Sequence, residues 1–271
     1  MRFDEDVQRS WLAREQGDIR ALFLSDLHLG SRACRSDQLL EFLRLNRAEV
    51  IYLVGDIVDG WRLRTSWYWP RAHDEILRHL VDAAKQGTRV IYIPGNHDAF
   101  LRDFCGVHLA GIEVVDSIIH KAADGRRYVV IHGDRFDRLI ERVRSLAPIA
   151  HRANVMVLKI DSAFNRLRRF LGLPGWSASQ WVKHKFKIAS RYLVEFETAL
   201  ADLARQHAAD GVICGHVHHA AMHDDLGIRY INCGDWVESC TAIGEDRQGR
   251  FEILRWSGKE PILLAAEARA A

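Results

Sequence analysis

The 271-residue sequence predicts a layered α/β domain that carries a helical insertion. Six short runs rich in Val, Ile and Tyr recur along the chain, and such runs are typical of strands buried on both faces. Segments with helical spacing separate the first three runs, as expected for a sheet with crossover helices. From about residue 136 to residue 208 the pattern changes to long helical stretches.

The predicted strands cover 21–24, 50–54, 89–93, 128–131, 211–214 and 228–231. Helices are expected over 37–46 and 73–87, and Gly87 is placed to end the second of them. The final third has shorter helices and more strands, which predicts a second sheet or an antiparallel edge. We expect one domain over residues 1–271, with residues 136–208 as a helical insertion between two core strands.

The charge is divided unevenly along the chain. The net formal charge is +2, but residues 135–191 hold thirteen Lys and Arg against three Asp and Glu. The rest of the chain is therefore acidic. An acidic body with a basic insertion suggests that the insertion meets an anion. Because the basic charge is confined to an amphipathic insertion, we do not expect nucleic acid to be the main partner.

Cysteine usage and hydropathy indicate the compartment. Five cysteines form no C-x-x-C pair, and their odd number argues against a disulfide framework, so we expect a reduced, cytoplasmic chain. The first 18 residues are too charged for a signal peptide. No uncharged apolar stretch approaches the roughly 20 residues needed to cross a bilayer. The sequence therefore predicts a cytoplasmic protein, or one that rests on a membrane surface.

Ligand-type side chains follow five of the predicted strands. They form D-x-H at 26–28, G-D-x-x-D at 55–59, G-N-H-D at 95–98, H-G-D at 132–134 and G-H-x-H at 215–218. In open α/β sheets the functional crevice lies outside the carboxyl ends of the strands, so the five sets can converge there. Asp26 and His28 are two residues apart, as are His216 and His218, so in an extended chain each pair faces one way.

The motifs supply seven candidate metal ligands. They are Asp26, His28, Asp56, Asn96, His132, His216 and His218. Seven ligands are more than one ion would use with a water position left open, and they fit two ions that share a carboxylate. Such centres activate water and neutralise phosphoryl oxygens. Nitrogen and oxygen ligands without thiolate favour Mn²⁺, Fe²⁺ or Zn²⁺, and we expect two divalent ions with Mn²⁺ as the first choice.

The alternative to a metal-binding role is that each of these residues caps a helix or forms a turn. That account is plausible for any single position and poor for five motifs in one order. Asp59 is the exception, because we expect it to cap a helix or to support a ligand rather than to bind metal. The aromatic stretch at 61–70 either lines an apolar substrate groove or packs a loop against the core.

In this order, the five motifs resemble those of the calcineurin-like metallophosphoesterases. The resemblance covers about residues 22–236 and implies a four-layer α/β sandwich, with two mixed β-sheets flanked by helices. It assigns Asp56 to bridge the two ions. The remaining ligands then divide between the ions, with one held by Asp26, His28 and His218 and the other by Asn96, His132 and His216.

The same resemblance gives roles to the residues after Asn96. It implies that His97 is catalytic and reaches the scissile phosphate, where it stabilises charge and donates a proton to the leaving oxygen. Asp98 is expected to hold the His97 ring by accepting its other N–H.

Within that superfamily the chain resembles the UDP-2,3-diacylglucosamine hydrolases of bacterial lipid A synthesis. The likeness lies in size, in the SDLHLG opening and in a helical lid between H-G-D and G-H-x-H. It implies hydrolysis of a lipid-linked nucleotide to UMP and an acylated sugar phosphate. It also implies peripheral contact with the inner membrane through the basic lid. Lys183, Lys187 and Arg191 are candidate substrate contacts there, although a charge run is usually a solvated face.

Two alternatives stay open. The best-known members of that group carry arginine after the motif asparagine, where this chain has His97, and histidine is commoner across the wider superfamily. A phosphodiesterase or phosphatase that acts on another nucleotide or phospholipid is therefore the second hypothesis. A catalytically silent scaffold of the same fold is the third. The sequence leaves the oligomeric state open.

Overall fold

The computed structural model of the chain describes residues 19–136, 178–256 and 261–264, with the backbone alone for 178–191 and 261–264. The described residues fall into two compact units, one within 1–134 and 200–271 and the other within 135–199. Across these ranges, no helix has both the length and the apolar character that a membrane span requires.

The larger unit contains an eight-stranded sheet. Its strands are β1 (Ile19–Leu24), β2 (Ala48–Val54), β3 (Arg89–Ile93), β4 (His108–Leu109), β5 (Ile112–Val114), β11 (Thr241–Asp246), β12 (Phe251–Trp256) and β13 (Pro261–Leu264). Their order in the sheet is β13-β12-β11-β1-β2-β3-β5-β4. Neighbours from β1 to β5 in that order run parallel, whereas β11, β12 and β13 form an antiparallel edge on β1.

A second, five-stranded sheet belongs to the same unit. Its strands are β6 (Ile118–Lys121), β7 (Arg127–Val130), β8 (Gly211–Cys214), β9 (Ala221–His223) and β10 (Arg229–Asn232). The order is β6-β7-β8-β10-β9, with the three inner strands parallel and both edge strands antiparallel. The final third of the chain therefore supplies both a second sheet and an antiparallel edge, as predicted.

Four α-helices lie in the described part of the chain, namely α1 (Ser36–Leu45), α2 (Gly60–Thr65), α3 (Arg71–Lys85) and α4 (Ala178–Gln206). Short 3-10 turns cover Ala99–Phe104 and Asp134–Phe136. Helix α3 ends as the sequence predicts, because Gly87 adopts a φ of 101° that favours glycine. The amide of Thr88 then donates to the carbonyl oxygen of Ala83 at 3.0 Å and satisfies an orphan acceptor.

The strands of the first sheet consist of continuous apolar runs because both faces of that sheet are buried. Along β1, Leu22 and Leu24 belong to the core beneath α1 and α3, which also holds residues such as Phe42. The alternate residue Phe23 belongs to a second core, shared with Ile213 of the other sheet. A strand with two buried faces cannot alternate apolar with polar residues.

The predicted fold of two mixed sheets flanked by helices is confirmed. The predicted lid at 136–208 is described only in its last part, where α4 covers the expected helix, and residues 137–177 lie outside the described residues. The single domain and its lid therefore stay predictions.

Candidate metal centre

The loops that follow β1, β2, β3 and β8 are joined by hydrogen bonds. The amide of His28 donates to the carbonyl oxygen of Asp56 at 2.9 Å. The amide of His97 donates to Asp56 Oδ1 at 2.8 Å, and that of His216 donates to Asp26 Oδ2 at 2.9 Å. Strands β1, β2 and β3 are parallel neighbours, so their carboxyl ends meet at one edge of the first sheet. The bond from His216 joins to this edge the loop that follows β8 of the second sheet.

The first group of side chains contains Asp26, His28 and His218, whose ligand atoms lie within 4.8 Å of one another. Asp26 Oδ1 is 3.2 Å from His218 Nε2 and 3.8 Å from His28 Nε2. The two imidazole rings stack with their centroids 5.2 Å apart. One carboxylate oxygen and two ring nitrogens thus converge as they would around one cation.

The second group contains Asp56, His132 and His216, again within 4.8 Å of one another. Asp56 Oδ2 is 3.4 Å from His132 Nε2. His132 Nδ1 lies 2.8 Å from the carbonyl oxygen of Val54, which can only accept, so the proton sits on Nδ1 and Nε2 is left for a metal.

Four of the predicted ligands carry a buried polar atom that has no hydrogen-bond partner among the described residues. These atoms are Asp26 Oδ1, His28 Nε2, Asn96 Oδ1 and His132 Nε2. Buried polar atoms in folded proteins are nearly always paired, so each exception needs a reason. All four belong to residue types that bind divalent metals, and cations would satisfy them. The residues present therefore fit a metal centre.

The backbone at the candidate ligands is strained. Asp26, His28, Asp56, His216 and His218 all have positive φ, between 51° and 73°. Such a conformation costs a non-glycine residue about 1–3 kcal/mol and persists where the surrounding structure enforces it, often at functional sites. The expectation that each D-x-H or H-x-H pair lies in extended chain is therefore wrong. The paired side chains converge because the chain turns through the left-handed region after the strand ends.

Glycine permits the close approach of two of these loops. A Cβ at Gly95 would lie 2.3 Å from Asp56 Oδ1 and 2.7 Å from His132 Cδ2. Any side chain at Gly95 would therefore displace the carboxylate predicted to bridge the ions.

The buried charges of the second group balance one another. Burial by itself would raise the pKa of Asp56, but His132 and His97 outweigh burial and hold that pKa below its ordinary value. Burial opposes the charged imidazole of His132, yet the adjacent charge of Asp56 raises its pKa. The Asp56 carboxylate is thus stabilised by positive charge beside it, and a metal cation can replace the proton on His132.

The partner of His97 is Asp59, and the prediction that Asp98 holds the His97 ring is wrong. His97 Nδ1 lies 2.9 Å from Asp59 Oδ1. Asp59 also accepts from the amide of Arg62 at 3.0 Å, so the expected helix cap is present at the start of α2. The sequence predicted that Asp59 caps a helix or supports a ligand, but it did not indicate His97 as the ring that Asp59 contacts.

Asp98 instead organises the two loops around Asp56. Its carboxylate accepts from the amides of Gly95 at 2.6 Å and Ile57 at 2.7 Å, and from the Tyr92 hydroxyl at 2.5 Å. With its oxygens occupied by these donors, Asp98 is not available to His97. It holds the backbone on either side of the candidate bridging carboxylate.

An exposed aromatic surface adjoins His97. The Trp61 ring lies 4.1 Å from the His97 ring, and Trp61 is 47% exposed. Phe100, which is 46% exposed, approaches Gly60 next to Trp61. Part of the 61–70 stretch therefore lies at the site. Lys183, Lys187 and Arg191 lie on α4, but their side chains are outside the described residues, so their substrate contacts stay a prediction.

A sequence model of the calcineurin-like phosphoesterases matches residues 19–220. The chain belongs to the calcineurin-like phosphoesterase family. As an enzyme of this family it is a metal-dependent phosphoesterase, and the predictions of family and enzyme class are confirmed. The family implies divalent metal ions, and the Asp and His groups described above provide ligands for them.

Relatives of this phosphoesterase share most of its length. It is 27% identical to the UDP-2,3-diacylglucosamine hydrolase of Aeromonas hydrophila, over 87% of this chain and 100% of the relative. It is 29% identical to the hydrolase of the same name from Azotobacter vinelandii, over 85% of this chain and 96% of the relative. Among solved structures, Vacuolar Protein Sorting 29 from Cryptosporidium parvum aligns with a TM-score of 0.47 at 11% identity, covering 92% of this chain and 97% of that one.

Proposed function

We propose that the chain is a manganese-dependent UDP-2,3-diacylglucosamine diphosphatase that releases UMP and an acylated sugar phosphate. The observation that carries the proposal is the set of four buried ligand atoms, on Asp26, His28, Asn96 and His132, that have no hydrogen-bond partner in the described part of the chain. The relatives named UDP-2,3-diacylglucosamine hydrolase supply the substrate, because they match this chain over nearly its whole length.

The seven candidate ligands would hold two divalent cations in the arrangement that the family resemblance implies. Asp26, His28 and His218 would hold one ion, Asn96, His132 and His216 would hold the other, and Asp56 would contact both. When bound, such ions neutralise phosphoryl charge and lower the pKa of water. A site of carboxylate, amide and imidazole groups without thiolate suits Mn²⁺.

His97 would act on the substrate directly. Asp59 accepts from His97 Nδ1 at 2.9 Å, so the second ring nitrogen is directed away from α2. That nitrogen, Nε2, is 3.9 Å from Asp56 Oδ2 and so faces the candidate metal ligands. A protonated His97 in this orientation would stabilise charge on the phosphoryl group and donate its Nε2 proton to the leaving oxygen.

The apolar surface beside His97 supports a substrate with an apolar part. Trp61 and Phe100 are each about half exposed, and large exposed aromatic side chains beside a polar site are typical of ligand-binding surfaces. We further propose that the basic lid contacts the inner membrane face, where the acylated substrate would be found.

The assay is release of UMP from UDP-2,3-diacylglucosamine by metal-free protein to which Mn²⁺, Fe²⁺ or Zn²⁺ is added separately. We expect UMP with Mn²⁺, and a generic aryl phosphodiester to be a poor substrate. Hydrolysis of the aryl phosphodiester without UMP release would favour the second hypothesis, a phosphodiesterase with another substrate.

Two variants separate the proposed roles within this assay. His97→Ala should lower kcat by about 10²–10⁴-fold with the metal content intact, because it removes only the proton donor. Asp56→Ala should lose metal, because it removes the carboxylate proposed to contact both ions. Equal metal loss in the two variants would contradict this division of roles.

A further inference from the structure

A carboxylate outside the predicted motifs is held rigidly beside the first ligand group. Asp235 follows β10 and is buried, with 1% of its surface exposed. Its Oδ1 accepts from the backbone amides of Val237 at 3.1 Å, Glu238 at 2.8 Å and Ser239 at 2.9 Å. The Ser239 hydroxyl lies 3.2 Å from the same oxygen. Four donors around Oδ1 fix the orientation of the carboxylate, and Oδ2 is directed elsewhere.

Asp235 Oδ2 lies against a candidate metal ligand. It is 3.2 Å from His218 Nδ1, while the other ring nitrogen of His218, Nε2, is 3.2 Å from Asp26 Oδ1. An imidazole can present the lone pair of Nε2 to a cation only when the proton is on Nδ1. Asp26 Oδ1 faces Nε2 at the same distance, so the two contacts alone do not select a tautomer. With a cation bound to Nε2, the carboxylate of Asp235 would hold the proton on Nδ1.

We propose that Asp235 is a positioning residue, which orients the His218 ring and keeps its proton on Nδ1 so that Nε2 can bind a cation with Asp26 and His28. This inference rests on the part of the proposed function that assigns these three residues to one ion. Carboxylates that accept the second N–H of a metal-binding histidine fix its ring in this way.

The second ligand group obtains the same orientation from the main chain. His132 Nδ1 contacts the carbonyl oxygen of Val54 at 2.8 Å, and no side chain takes part in that bond. A substitution at Asp235 should therefore lower the affinity for one of the two ions and leave the affinity for the other unchanged. This asymmetry is what separates a positioning role from a general structural role.

The test is Asp235→Asn, compared with the wild type by calorimetric titration of metal-free protein with Mn²⁺. The three backbone amides should retain the side-chain oxygen of the asparagine, so its NH₂ group faces His218 Nδ1. Two donors cannot pair, and His218 should move its proton to Nε2. We expect the affinity for one ion to fall about 10–100-fold, with the second affinity unchanged.

The matched control is Asp246→Asn. Asp246 is also buried, with 5% of its surface exposed, and it accepts from the amides of Gln248 at 2.8 Å and Arg250 at 2.9 Å in a turn. It pairs with Ile19 at the opposite end of β1 from the candidate site. Its substitution should leave both affinities unchanged. Loss of one ion in both variants would overturn the proposal.

A second measurement does not depend on activity. Long-range ¹H–¹⁵N spectra of the Zn²⁺-loaded protein report which ring nitrogen of His218 carries the proton, and His218→Gln identifies its signals. We expect a proton on Nδ1 in the wild type and the loss of that pattern in Asp235→Asn. A proton on Nε2 in the wild type would overturn the proposal even if the Asp235 variant does not fold.

The proposed function and this inference fail in different ways. If the wild type releases no UMP but Asp235→Asn still lowers the affinity for one ion, the proposed substrate is wrong and the positioning role stands. If the wild type releases UMP and Asp235→Asn binds both ions as the wild type does, the positioning role is wrong.

Discussion

Asp59→Asn tests the link between Asp59 and the proposed proton donor His97. The substitution keeps the side-chain oxygen that caps α2, because asparagine is as good a cap as aspartate. The cap should therefore contribute almost no change to the free energy of unfolding. What is lost is the negative charge that accepts from His97 Nδ1 at 2.9 Å in a site where Asp59 is 3% exposed.

The expected magnitude follows from that bond. Asparagine keeps an oxygen that can accept from His97 Nδ1, so only the contribution of the charge is lost. A hydrogen bond to a charged group contributes about 1.5–3 kcal/mol and a neutral one about 0.5–1.5 kcal/mol, a difference of about 1–1.5 kcal/mol. Each 1.36 kcal/mol corresponds to a tenfold change in rate, so kcat should fall about 5- to 15-fold if the whole difference acts in the transition state. Asp59 Oδ2 is also 3.6 Å from His28 Nδ1, so kcat should be measured with Mn²⁺ and substrate at saturation. Metal affinity then does not enter the comparison.

A double-mutant cycle decides whether Asp59 acts through His97. In a His97→Ala background, adding Asp59→Asn should change kcat by no more than about twofold, the usual error of additivity. If Asp59→Asn lowers kcat by the same factor with and without His97, the aspartate acts on something else. The proposed pairing would then have no catalytic role.

Two further predictions concern the packing of the site and the cysteines. In Gly95→Ala the new Cβ would lie 2.3 Å from Asp56 Oδ1. The variant should therefore lose tight metal binding, and its free energy of unfolding should fall by about 1–3 kcal/mol. A thermal melt in which Mn²⁺ stabilises the variant as much as the wild type would contradict this. No disulfide joins the five cysteines, all of which lie in the described part of the chain, and iodoacetamide at mildly alkaline pH should label the exposed Cys105 first. Burial, with Cys240 nearby, raises the pKa of Cys34 to about 12, so equal labelling rates at Cys34 and Cys105, measured by peptide mass spectrometry, would refute that reasoning.

The fold was predictable because its strongest signals are local. Strands β3 and β8 have the bounds that their apolar runs predict, and α3 ends before Gly87 as its sequence indicates. Continuous apolar runs and helical spacing reflect which faces are buried, and burial on both faces leaves no ambiguity about the layers. The pairing of β11 with β1 was not predictable in this way, because it joins residues more than 200 positions apart.

The candidate ligands were predictable as a set, but the geometry that brings them together was not. The motifs place Asp26 and His28 after a strand, and they carry no signal that both residues adopt positive φ. The extended conformation was the reasonable expectation, because left-handed backbone is uncommon outside glycine, although aspartate and histidine adopt it more often than most residues. Only contacts from other loops can hold it.

The sequence by itself determined which strands form the core, which family the chain belongs to and which side-chain types gather at the strand ends, because these depend on composition and spacing along one chain. The tertiary structure alone decided the partners: Asp59 rather than Asp98 for His97, and Asp235 for His218. A hydrogen bond depends on a few tenths of an ångström between atoms on separate loops. That distance is set by how the loops pack, which no local pattern encodes.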